Sequence, residues 1–142
     1  MRNKVAALFA DVRKTFADVP VMSGDECRSC MGDGTTLLVD VRGANERLVS
    51  RIPGAVSREA YEADRAAYEG KTVVCYCTMG YRAGLYAKKL RAHDVDARLL
   101  DGALLGWVHD GGQLEDDRGP TTRLHVFNHK FDLVPDGYEG VL

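Results

Sequence analysis

KTVVCYCTMGYRAGLYAKKL, residues 71–90, decides the fold. Its first part, 71–77, is a short continuous apolar run, the pattern of a strand buried on both faces of a parallel sheet. Residues 83–93, AGLYAKKLRAH, read as a helix with Leu85, Tyr86 and Leu90 on one side. Residues 78–82 must therefore turn the chain from strand to helix in very few steps. Cys77 then stands at the carboxyl end of a strand, where open α/β sheets bind ligands. If the peptide groups of Thr78, Met79, Gly80, Tyr81 and Arg82 curl with N–H inward, they form a nest for an anion. The helix opening near Arg82 adds its positive end to the same place. Gly80 supplies backbone angles that a side chain would forbid. The loop thus reads as a cradle that favours the thiolate of Cys77, the nucleophilic form of cysteine. No histidine lies nearby in sequence to act as a base.

The same alternation runs outward from this junction. TTLLVDVR, 35–42, is a second buried strand, and ARLLDG, 97–102, a third. Pro53-Gly54 marks a turn, with a short extended piece starting at Ala55-Val56, and residues 58–69 suit a surface helix. Ala103–Val108 is a short helix that ends near His109–Gly112. Upstream, Val5, Leu8, Phe9, Val12, Phe16 and Val19 recur at helical spacing, which predicts an amphipathic helix over 3–19 stopped by Pro20. Ser23-Gly24-Asp25-Glu26 has the form of a capping box that opens a short helix through Cys30 and Met31, closed by Gly32-Asp33-Gly34. Strands alternating with helices at these lengths imply an α/β fold with a parallel sheet. After Gln113 come a charged turn, Glu115–Pro120, and then an extended strand or hairpin with an irregular tail.

A chain of 142 residues fits one domain and needs neither a disulfide nor a metal to hold its core. Nineteen basic residues against 21 acidic ones, without a basic run, speak against a nucleic-acid partner. Any anion site must then be built locally. No apolar run is long enough for a membrane-spanning helix, and Val5–Ala10 is too short for a secretory signal. The expectation is a cytoplasmic protein with no membrane partner. Its four cysteines there serve chemistry or core burial before disulfides.

The stretch from about Val21 to Leu114 resembles a rhodanese domain. LLVDVRGANERLVSRIPGAV matches that family's Asp-Val-Arg, later Glu, and Ile-Pro-Gly-Ala pattern; VVCYCTMGYRAGLYAKKL matches its catalytic strand, loop and helix; LLDGALLGW matches its closing segment, with Asp101-Gly102 in place of the usual Gly-Gly. The resemblance implies a rhodanese-like α/β fold, a central parallel sheet flanked by helices. It divides the chain into an N-terminal helix (1–20), the domain (21–114) and a C-terminal extension (115–142) that packs on the domain or a partner. It further implies sulfur transfer without a cofactor, Cys77 carrying a persulfide between a donor such as thiosulfate and an acceptor, cyanide or a thiol, with a protein acceptor as a further option. Arg82 would bind donor charge or brace the loop. Thr78, Met79 and Tyr81 bring no charge, whereas efficient thiosulfate users in the family often have basic residues there, which implies a persulfide or a protein as the donor. Phosphatases and arsenate reductases with a catalytic cysteine place five residues between cysteine and arginine; here four do, so that reading is the alternative. A non-catalytic interaction module is a third, against which the presence of Cys77 counts.

Other candidates have plainer readings. Cys75 shares a strand face with Cys77 and could resolve its persulfide, but core burial suffices. Cys27 and Cys30 read first as core packing, with reversible redox sensing as the alternative; His125 and His129 have zinc-like spacing, yet the gap from Cys30 to His125 is far too long for a zinc finger. No metal is expected. Asp40 and Arg42 read as bracing charges with Glu46 as a partner for Arg42, and Trp107 as core. The N-terminal helix packs on the sheet or on a second subunit.

Overall fold

The structure, a computed structural model, describes all of residues 1–142. Its core is a five-stranded parallel sheet formed by β1 (Val21–Met22), β2 (Thr36–Asp40), β3 (Val56–Ser57), β4 (Thr72–Tyr76) and β5 (Ala97–Leu100). In space the order is β1-β5-β4-β2-β3. The apolar runs read from the sequence become the two central strands, β4 and β2, which pair from Thr36↔Thr72 to Asp40↔Tyr76. That register brings their carboxyl ends level, so Cys77 leaves the sheet beside Val41.

Helices cover the sheet on both sides: α1 (Arg2–Thr15), α2 (Gly24–Gly32), α3 (Ala44–Val49), α4 (Arg58–Ala63), α5 (Tyr81–Arg91) and α6 (Ala103–His109). None is long and apolar enough to cross a membrane. At α2, Ser23 is the N-cap, its hydroxyl accepting from the Glu26 N–H at 3.1 Å. α1 packs on the domain itself, against α6, where Arg2 pairs with Asp110 and donates to the His109 carbonyl.

Several elements depart from the sequence reading. α1 stops at Thr15, because Phe16 (φ −116°, ψ 51°) leaves the helix and a turn before Pro20 tucks Phe16 and Val19 into the core. β1 is two residues long, too short to show any periodicity; it is recognised only by its pairing with Leu99 and Leu100. The expected helix over 58–69 breaks at Asp64 (φ −142°, ψ 42°), and a one-turn 3-10 helix at Arg65–Tyr68 follows, which stacks Tyr68 on Tyr61 with ring centres 5.9 Å apart. α5 starts at Tyr81, so Arg82 lies inside its first turn, and Leu85 is 65% exposed. The buried face is instead Ala83, Gly84, Tyr86, Ala87 and Leu90. At Gly84 no side chain fits, because the residue just after α1 approaches closely: a Cβ on Gly84 would lie 2.3 Å from the Phe16 ring.

The C-terminal segment is more ordered than an irregular tail. β6 (Leu114–Asp116) and β7 (Gly119–Thr121) form an antiparallel hairpin, and β8 (Arg123–His125) pairs in parallel with β9 (Glu139–Val141). β8 packs on α3, and Leu124 and Val126 are completely buried.

Candidate active site

Cys77 is the first residue after β4, and its thiol is nearly enclosed, with 2% of the residue exposed. Its backbone is pinned as well, the carbonyl accepting from the Leu104 N–H of α6 at 3.0 Å. Thr78 and Met79 are buried after it. Gly80 takes φ +119°, in the region open to glycine, and this turns its N–H onto Cys77 Sγ at 3.1 Å. A side chain there would also meet α1, since a Cβ would stand 3.0 Å from Val12 and 3.3 Å from Phe9. The amides of Thr78, Met79, Tyr81, Arg82 and Ala83 donate to no carbonyl, which leaves them available to an anion at the start of α5. Tyr81 is partly exposed and meets Phe16 edge to face, 6.5 Å between ring centres.

Arg82 is already engaged. Its Nη1 donates to Glu46 Oε2 at 2.8 Å and its Nη2 to Glu46 Oε1 at 2.9 Å, a two-pronged ion pair. Nη2 also reaches Thr78 Oγ1 at 3.4 Å. The ring of Phe127 covers the guanidinium, its centre 4.2 Å from Cζ. Burial raises the pKa of Glu46, but hydrogen bonds from Arg82 and the Gly43 N–H, with the charges of Arg82 and Arg42, outweigh it and hold the carboxyl below its ordinary range. Burial opposes the Arg82 charge, yet Glu46 and the negative form of Cys77 raise its pKa further.

Asp40 and Arg42 form a second, fully buried pair beside the first. Asp40 Oδ1 accepts from the Arg42 N–H and Nε, both at 3.0 Å, and Oδ2 accepts from Nη2 at 2.7 Å. The same Nη2 donates to the Ser50 carbonyl at 2.7 Å. Arg42 thus takes Asp40 as its direct partner and not Glu46, because Glu46, in the first turn of α3, reaches back to the Gly43 N–H and across to Arg82. Tyr76 completes this network: its hydroxyl donates to Asp40 Oδ2 at 2.7 Å and accepts from the Ile52 N–H at 3.1 Å. Burial, with the Asp40 charge, keeps the phenol firmly protonated. Sequence reading missed Tyr76, although its place between Cys75 and Cys77 assigns it to the opposite sheet face. It also missed Phe127, for which no local signal exists.

The remaining candidates lie apart from the loop. Cys75 is completely buried in β4, and burial, then the neighbouring Cys77 charge, pushes its thiol well up. Cys27 faces the core, its Sγ 3.8 Å from Met31 Sδ, and burial raises its pKa to about 11; Cys30 is half-buried, and all four cysteines are free thiols. Trp107 is buried and donates from Nε1 to the Gln113 carbonyl at 2.9 Å, and His109 Nε2 lies 2.7 Å from the Leu133 carbonyl oxygen. The cavity of 550 Å³ bounded by Arg28, Met31, Pro53, Trp107 and Gln113 contains no residue of the 77–82 loop.

Solved structures with the same fold include sulfurtransferases. A thiosulfate sulfurtransferase from Pseudomonas aeruginosa superposes with a TM-score of 0.61 at 18% identity, over 79% of this chain but only 23% of that one. The polysulfide-sulfur transferase homodimer of Wolinella succinogenes gives 0.58 at 24% identity, covering 78% and 88% of the two chains. A human single-domain sulfurtransferase gives 0.55 at 28% identity, covering 64% and 96%. At such identities the superpositions show the fold. No curated protein matches the chain significantly. The family model described as "Rhodanese-like domain" matches residues 23–110, more than half of the chain. With the cysteine loop, the Asp-Val-Arg strand end and the closing segment all inside that match, the chain belongs to the rhodanese-like domain family.

Proposed function

We propose that this protein is a rhodanese-type sulfurtransferase in which Cys77 carries sulfane sulfur as a persulfide. The observation that carries the reading is the Gly80 N–H aimed at Cys77 Sγ, 3.1 Å away, at the tip of a parallel strand with no histidine as base. A thiolate stabilised in this way is a ready nucleophile. It attacks the outer sulfur of the donor, and the donor's sulfur–sulfur bond breaks with its electron pair going to the leaving group, sulfite when the donor is thiosulfate. Cys77 then holds the outer sulfur as a persulfide, whose negative charge meets the same loop amides. Cyanide or a thiolate takes that sulfur in the second step and regenerates the Cys77 thiolate. The cycle moves one sulfur and needs no cofactor. Four free thiols suit a reducing, cytoplasmic setting.

Arg82 fits this chemistry better than phosphoryl transfer. Four residues separate it from Cys77, and both of its terminal nitrogens are spent on Glu46 and Thr78, so the loop is braced around one sulfur and not spread around an oxyanion. The test is the intact mass of the protein after incubation with a sulfane-sulfur donor such as thiosulfate. One added sulfur is expected, removable by cyanide and absent from Cys77→Ser. No gain with any sulfane donor would leave an interaction module, and hydrolysis of an aryl phosphate through Cys77 would establish the phosphatase reading instead.

A further inference from the structure

Phe127 is held in a way that ordinary core burial does not explain. It lies outside the family-matched stretch, its backbone sits at φ +73°, and the residue stays 48% exposed. A residue with a Cβ enters that left-handed region only when its surroundings force it, and such strain gathers at functional positions. Here Leu124 and Val126, both fully buried, anchor the chain just before it, and the Phe127 N–H donates to His125 Nδ1 at 3.1 Å. The ring is thereby presented over Arg82, the only charged side chain among residues 77–82. Arg82 is already neutralised by Glu46, and Arg42 by Asp40, so neither of these arginines offers an unpaired charge to a donor that brings two negative charges. What the rim of the loop offers is a flat apolar face, Phe127.

We infer that Phe127 is a specificity-determining residue, which receives the apolar group of a singly charged organosulfur donor. This rests on the sulfurtransferase reading and names the substrate class of that site: an organic persulfide or thiosulfonate. With an aryl thiosulfonate the Cys77 thiolate attacks the outer sulfur, the bond from that sulfur to the sulfonyl sulfur breaks, and arenesulfinate departs with the electron pair. One persulfide anion and one sulfinate anion replace one thiolate and one thiosulfonate anion, so charge and atoms balance without any oxidant.

The experiment measures thiocyanate formation from cyanide with benzenethiosulfonate and with thiosulfate, in the wild type, Phe127→Ala and Phe127→Leu. Removing the ring removes its contact with the aryl group, while Arg82 stays paired with Glu46. In Phe127→Ala, kcat/KM for the thiosulfonate falls about three- to tenfold while that for thiosulfate stays within about twofold of wild type, so the donor ratio shifts toward thiosulfate. Phe127→Leu keeps an apolar cover without the flat face and falls between. A donor ratio that stays within about twofold of wild type in both variants overturns the inference, as does an equal loss with both donors. If the wild type takes sulfur onto Cys77 from neither compound, the sulfurtransferase reading falls and takes this inference with it; if it takes sulfur but the ratio does not move, only the role of Phe127 falls.

Discussion

Replacing Glu46 by glutamine keeps the shape of the side chain and removes one charge from the centre of the brace. At 2.8 Å and an effective dielectric near 20, the attraction between the Glu46 and Arg82 charges is about 6 kcal/mol. Most of that does not appear as stability. Glu46 is almost fully buried and its charge costs several kcal/mol to desolvate. Arg82, about a third exposed, recovers part of its solvation when unpaired, and the glutamine oxygen still accepts one of the lost hydrogen bonds. The net loss expected is about 1–3 kcal/mol at pH 7. Its pH dependence has a definite sign. The folded-state pKa of Glu46 lies below the ordinary 4.5, so its contribution is complete above that pH and is lost as pH falls through the folded value. Urea denaturation of wild type and Glu46→Gln between pH 7 and pH 3 checks this: the gap should be constant near neutrality and close in acid. Equal midpoints at pH 7, or a gap that survives unchanged to pH 3, would refute the view that Glu46 acts as a charged brace.

Tyr76→Phe removes the hydroxyl that serves Asp40 and the Ile52 N–H, stranding both in the core; a loss of about 2–3 kcal/mol in thermal or urea unfolding is expected. Gly84→Ala puts a methyl group 2.3 Å from the Phe16 ring and should cost about 1–3 kcal/mol by the same assay. Phe16→Leu in the same chain should relieve part of that cost.

The junction of β4, loop and α5 was legible because its information is contiguous. An apolar run, a cysteine, a glycine and a helix start state the chain's direction within fourteen residues or so, and Gly80 takes the positive φ that the turn requires. The partners of the charged residues were not legible in the same way. Glu46 and Arg82 stand 36 positions apart, and they meet because β2 and β4 end level and α3 opens beside the loop. Sequence proximity favoured Arg42 for Glu46, but Asp40, two residues from Arg42, offers its carboxylate to the backbone N–H and the guanidinium at once. Leu85 misled for a related reason. Hydrophobicity predicts a buried leucine, yet the side of α5 under α1 admits only small residues near Gly84, and the leucine is turned outward. Phe127 lies in a segment whose composition is that of any short strand, and its exposure follows from contacts made by its neighbours.

The two segments outside the family-matched stretch both bear on the 77–82 loop and the start of α5. Behind the loop, Val12 and Phe9 close on Gly80, and Phe16 on Gly84 and Tyr81; in front, Phe127 lies on Arg82. If the loop amides hold a sulfur anion, as proposed above, the loop gains from being fixed before the donor arrives, because aligned N–H groups then need no reorganisation during the reaction. Gly80, which makes the turn, has no side chain of its own to pack, so rigidity at that point has to come from neighbours. Here α1 supplies it on the buried side, and the Glu46–Arg82 pair on the other. On the reading proposed above, the terminal segments belong with the loop: one stiffens the cradle, and the other selects what approaches it.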